Sequence, residues 1–202
     1  MLKISRILIL ASFLVSFLHA PVAQAVFTSP LGIAIVPPLQ FPHSTFSVSG
    51  ARVSVLWGAH SNVYGIDVGV LGNITDNKFV GIAVSGVANV TKADATIIGL
   101  QAAGIANMNQ KAHVYGLQVA AVLNYNYAES SLVGFQVALG NYSPFMTVTG
   151  AQIGIYNQAR TVYGFQIGLV NYVENLHGLQ IGLVNFNPNG IFAVAPILNV
   201  GF

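Results

Sequence analysis

Nine copies of one short unit, each opening on a glycine, leave this 202-residue chain few ways to fold. The unit is clearest in Gly164 to Asn171 (GFQIGLVN) and Gly178 to Asn185 (GLQIGLVN). Earlier copies open at Gly50, Gly65, Gly81, Gly99, Gly116, Gly134 and Gly150, and successive first glycines are 15, 16, 18, 17, 18, 16, 14 and 14 residues apart. The unit core is kept while the connection varies, so each copy is expected to supply a strand and a turn. Inside a copy the alternation has period two, as in a strand with chemically different faces. One face carries glycine, then the Gln column (Gln101, Gln118, Gln136, Gln152, Gln166, Gln180), then a small residue such as Ala120 or Gly168. The other carries bulky apolar residues such as Phe165, Ile167 and Leu169. Glycine and β-branched residues recurring through every segment exclude a helix.

Between copies lie short polar clusters that read as turns, and eight of the ten charges after residue 25 fall in or beside them. The other two, Arg52 and Asp67, occupy the Gln column in the first two copies. Neighbouring strands would bring them together on one face, so they are expected to form an internal ion pair.

Composition points away from water. Charged residues are 6% of the chain, against about 25% in soluble domains. The formal net charge of +2 comes from Lys3 and Arg6, since residues 26–202 hold five basic and five acidic side chains. No basic face remains for nucleic acid. Residues 1–25 have the form of an export signal: Lys3 and Arg6, an uncharged stretch from Ile7 to Leu18, and the small-x-small site Ala23-Gln24-Ala25. Cleavage would leave Val26 first. The absence of cysteine excludes an N-terminal lipid-modified cysteine, disulfides and thiolate metal sites. Residues 26–45, rich in proline, form a lead-in, and 46–202 a single repeat-built β domain.

After the signal no apolar run reaches the ~20 residues of a spanning helix, whereas strands of 10 to 12 residues suit a closed membrane barrel. The expectation is therefore all-β: an antiparallel up-and-down transmembrane barrel of about ten strands, nine copies plus Ile191 to Phe202. Its bulky face would meet outer-membrane lipid. Arg52, Asp67 and the six glutamines would face the lumen. Six tyrosines near strand ends (Tyr64, Tyr115, Tyr125, Tyr142, Tyr163, Tyr172) fit an aromatic girdle. Alternation ending at Leu198, Val200 and Phe202 resembles the C-terminal signal read by the barrel assembly machinery. The alternative is a parallel β-solenoid with stacked Gln and Asn columns. Repetition at every strand favours it, because antiparallel neighbours are inverted and like columns then fail to align; scarce charge, the terminal phenylalanine and missing polar caps favour the barrel.

PPLQFP (Pro37 to Pro42), YGIDVGVLGN (Tyr64 to Asn73), the serial GLQIGLVN units and the finish from Pro196 to Phe202 resemble a family of exported bacterial surface repeat-containing proteins of spirochaetes and other Gram-negative lineages. Ala83 departs from that pattern where glutamine is usual. The resemblance implies an outer-membrane or cell-surface location and carries over no catalytic residue. Nor do the residues suggest one: no Gly-x-Ser-x-Gly occurs, and His43, His60, His113 and His177 stand singly near predicted turns. No enzyme activity, cofactor or metal is expected. The functional expectation is a structural or surface-interaction barrel, with an exported soluble solenoid binding or adhesion module as alternative and a narrow pore or transporter as a third reading.

Overall fold

The computed structural model describes residues 27–92 and 94–202; the export signal expected over 1–25 lies outside them. The described residues hold β1 (Thr28–Val36), β2 (Leu39–Phe41), β3 (Ser47–Ser54), β4 (Trp57–Gly69), β5 (Gly72–Ser85), β6 (Ala88–Thr91), β7 (Ala95–Ala103) and β8 (Ala106–Asn109). They continue with β9 (Ala112–Ala120), β10 (Leu123–Asn126), β11 (Ser130–Val137), β12 (Gly140–Ile153), β13 (Tyr156–Ile167), β14 (Val170–Phe186) and β15 (Val194–Gly201). All belong to one continuous sheet.

That sheet is a coil, not a barrel. From β3 to β14 every pairing is parallel, and each copy lies on the next with its first glycine in register: Gly50 on Gly65, then Gly81, Gly99, Gly116, Gly134, Gly150, Gly164 and Gly178. The architecture is the parallel β-solenoid kept as the alternative, and the antiparallel ten-stranded barrel is corrected. Each copy is also more than a strand and a turn. A first limb runs through the glycine and glutamine, the chain bends at an uncharged apolar corner, and a second limb runs through the asparagine before a polar corner leads to the next glycine. Strands such as β13 pass through the polar corner, carrying one coil's second limb into the next coil's first. The first five copies have one residue more between glycine and the asparagine position (Gly116 to Asn124 against Gly134 to Asn141), and the apolar corner absorbs it while both columns stay aligned.

The glycine column enforces the parallel register. These nine glycines have φ between 121° and 151°, a region that side-chain-bearing residues avoid. A Cβ on any of Gly65 to Gly178 would also fall on the carbonyl oxygen of the glycine one coil before. Coil can approach coil at sheet spacing here only where this position carries no Cβ, and Gly50 meets the Pro30 carbonyl in the same way.

The two ends close differently. At the first, β1 pairs parallel with β3, and β2 folds back antiparallel on β1. At the other, β15 runs antiparallel along β14, with Gln180 opposite Asn199. Expected as the strand that would close a barrel, Ile191 to Phe202 instead terminates the stack. An antiparallel strand inverts the column order, so no further copy can add in register. Phe202 is fully exposed, and Leu198 points outward.

Gly134→Ala is expected to destabilise the coil by at least roughly 1–3 kcal/mol from backbone strain alone, with clash against the Gly116 carbonyl in addition. Gly140→Ala, on a glycine with ordinary φ and open surroundings, should cost far less. Equal denaturation midpoints for the two variants would contradict this account of the column.

Candidate functional site

Inside the coil the polar side chains form two ladders. Each glutamine Nε2 donates to the Oε1 of the glutamine one coil earlier, from Gln118 to Gln101 through Gln180 to Gln166, at 2.7–2.9 Å. Asn199 on β15 continues the series by donating to Gln180. The asparagines Asn73, Asn89, Asn107, Asn124, Asn141, Asn157, Asn171 and Asn185 form the second ladder, each Nδ2 donating to the Oδ1 of the next at 2.8–3.2 Å. The second N–H of most of these amides goes to a backbone carbonyl, as in Asn157 to Ile167 and Gln166 to Tyr172. That bond fixes each amide's orientation, because a flipped amide would set oxygen against oxygen. Donors point toward the N-terminal end in one ladder and the C-terminal end in the other, so their dipoles oppose. An apolar strip behind the charged corner, including Phe79, Ile97, Leu132, Met146 and Leu176, completes the interior.

All the residues expected in a lumen therefore face inward, but into a filled core. Gln101, Gln118, Gln136, Gln152, Gln166 and Gln180 are buried and hydrogen-bonded along the ladder, with Thr91 accepting from Gln101 at one end and Asn199 donating to Gln180 at the other.

The expected Arg52–Asp67 pair forms. Arg52 Nε and Nη2 donate to the two carboxylate oxygens of Asp67 at 2.7 and 2.6 Å, and both side chains are buried. Burial pushes the Asp67 carboxyl up while the bidentate bonds and charge of Arg52 pull it down. His60, one of the four histidines that stand singly near predicted turns, is buried against this pair. Arg52 Nη1 lies 3.2 Å from His60 Nδ1, and His60 Nε2 lies 3.1 Å from the Pro42 carbonyl. Arginine only donates and a carbonyl only accepts, so Nδ1 is the acceptor and the proton sits on Nε2. The available signal was spacing: His60 is two residues past Gly58, which occupies the asparagine position of its coil, and period two turns it inward. Burial first, and the Arg52 charge second, lower the His60 pKa to about 4.

The outer surface follows a fixed order around each coil. At the polar corner adjacent coils are linked by Lys92 to Asp76 at 2.7 Å and Lys111 to Asp94 at 2.6 Å, while Arg160 reaches Glu129 at 3.4 Å. The Asp94 contact raises the Lys111 pKa. Next on the first limb comes a row with Tyr64, Tyr115, Tyr163 and His177, the last two stacked at 4.6 Å. Aliphatic and phenylalanine rows follow, including Ile66, Phe135, Phe165, Ile167 and Ile181, all exposed. At the apolar corner, Val70, Leu139, Ile155, Leu169 and Leu183 are about half exposed or more. Between these rows lies an open trough of about 810 Å³, floored by Ala138, Gly154, Gly168 and Gly182. The second limb ends on a row with Tyr125, Tyr142 and Tyr172 before the polar corner returns. The six tyrosines expected in a girdle thus form two rows flanking the charged corner. This apolar surface, and no cluster of reactive groups, is the candidate site.

In comparisons with protein-family models, curated proteins and solved structures, nothing matched this chain.

Removing one partner of the buried pair, as in Asp67→Ala, is expected to cost roughly 3–5 kcal/mol. Arg52→Gln with Asp67→Gln, which can hydrogen-bond to each other as later copies do, should recover most of that in denaturation; a double variant as unstable as the single would count against the ladder as a substitute for the pair. His60 gives a pH signature. Its folded pKa lies below the unfolded 6.5, so its contribution is present above about pH 6.5 and lost as pH falls toward 4, a span worth about 3 kcal/mol. Thermal unfolding should weaken through that window more in the parent than in His60→Gln, and coincident profiles would remove His60 from the explanation.

Proposed function

We propose that this protein is an exported β-solenoid acting as a non-catalytic binding or adhesion module at the cell surface or outer membrane. The observation that carries this reading is the outward row of large apolar side chains at the corner and along both limbs, set on a core whose amides are occupied with one another. With the interior already filled, Phe135, Phe165, Leu169 and Leu183 stand in water, and contiguous apolar rows of this kind mark a surface that a partner covers. Stacking on a glycine-locked register keeps these rows straight and pre-organised, so little conformational entropy is lost when a partner covers them. The resemblance to exported surface repeat-containing proteins and the signal-like residues 1–25 support the same placement.

The full chain should be expressed in a Gram-negative host, fractionated, and its N-terminus sequenced. The expected product begins at Val26, is recovered with the envelope, and shows an elongated particle by solution scattering. An intact Met1 and recovery in the cytosol would overturn the export reading.

A further inference from the structure

The apolar rows do not occupy one flat face. Around the coils the outward positions run from a mixed row that includes Tyr64, Tyr115 and Tyr163, through apolar rows with Phe135 and Phe165, over the apolar corner, and along the second limb to a mixed row that includes Tyr125, Tyr142 and Tyr172. Among the described residues, every charged side chain except the buried Arg52–Asp67 pair lies on the remaining arc, at positions 76–78, 92–94, 111, 129, 160 and 174. The cross-section is therefore amphipathic, and each boundary row holds three of the six tyrosines.

We infer that the solenoid lies lengthwise in one leaflet of a lipid bilayer, its apolar corner among the acyl chains and its charged corner in water. This rests on the reading that the apolar rows are the binding surface, and it names their partner. Three observations select lipid over a second copy of the chain. The apolar surface turns a corner from the first limb to the second, with an open trough beside that corner, so a flat partner on one limb leaves the other uncovered, whereas a fluid covers both. The first-limb rows alone extend about 38 Å over eight coil steps and about 14 Å across, on the order of 500 Å², already near the largest patch that monomers expose. Each boundary row carries three tyrosines among mixed residues, Tyr64, Tyr115 and Tyr163 on one side and Tyr125, Tyr142 and Tyr172 on the other, and their amphipathic rings settle at headgroup level. Depth agrees as well. From Tyr172 back to Leu169 the chain covers about 10 Å, and from Tyr163 forward to Leu169 less than about 20 Å of bent strand. Against a hydrocarbon core of about 30 Å, that reaches into one leaflet without crossing it. With five basic and five acidic residues in 26–202, the Arg52–Asp67 pair buried and the other eight facing away, attachment owes little to lipid charge.

The chain carries its own probe, because its single tryptophan, Trp57, stands at the apolar corner. Purified residues 26–202 should be mixed with phosphatidylcholine vesicles, with and without an anionic lipid, and floated through a density gradient. The expected result is co-flotation unchanged by anionic lipid or molar salt, with Trp57 fluorescence quenched by acyl-chain-brominated lipid. Tryptophan moved to the charged corner, as Trp57→Phe with Glu174→Trp, should float equally but escape that quenching. Leu169→Glu with Leu183→Glu should reduce flotation at least tenfold while the circular dichroism is kept. Soluble monomers that do not float would overturn both this inference and the reading of the rows as a binding surface. Dimers that dissociate in the Leu169→Glu, Leu183→Glu variant and do not float would overturn only the lipid partner. Flotation only with anionic lipid, or equal quenching at both corners, would overturn the proposed seating.

Discussion

The stacking of like on like holds this molecule together. A buried amide left without a partner costs about 1–3 kcal/mol, while each intramolecular hydrogen bond returns a net of about 1 kcal/mol. A column of glutamines is tolerable inside a protein only if every member finds another at hydrogen-bond distance, and parallel in-register coils supply that distance automatically. The Gln and Asn ladders are thus a condition the register must meet as well as a reward for meeting it. Slipping one coil by a single residue would turn its amides outward and its isoleucines and leucines inward, leaving both neighbouring rungs unpaired.

The glycine column and the ladder ends follow from the same constraint. Glycine is required where the first limb takes positive φ and where the preceding coil's carbonyl occupies the space a Cβ would fill. The ladders must also stop. Asn199 accepts the role of last rung at the C-terminal end. Toward the N-terminal end Ala83 interrupts the glutamines, and the Arg52–Asp67 pair takes their place with a geometry that an ion pair satisfies internally. Among the described residues the start of the Asn ladder is less complete, since Asn73 Oδ1 has no protein donor.

A coil of 14 to 18 residues has a small interior, and here amides, alanines and glycines fill much of it. Bulky side chains that a thicker domain would bury are displaced to the outside. This reverses the usual distribution of polarity and accounts for the low charge content without any requirement for a barrel.

Period-two alternation, visible in the chain alone, settled that the fold is all-β, that glycine, glutamine and small residues share the inner face, that Arg52 meets Asp67, and that charge gathers at the turns. Those conclusions depend only on local geometry, where successive side chains point to opposite sides of a strand. Whether neighbours run parallel or antiparallel is invisible to that geometry, because both arrangements have the same two faces. The alignment of glycine on glycine decided it, together with the corner that sets the glutamine and asparagine columns on different limbs. Only the closed coil could show that His60 lies beneath Arg52, that Ile191 to Phe202 ends the stack instead of closing it, and that the six tyrosines form two rows beside one charged corner. Each of these depends on which residues meet across coils, a relation fixed by packing in three dimensions and absent from spacing along the chain.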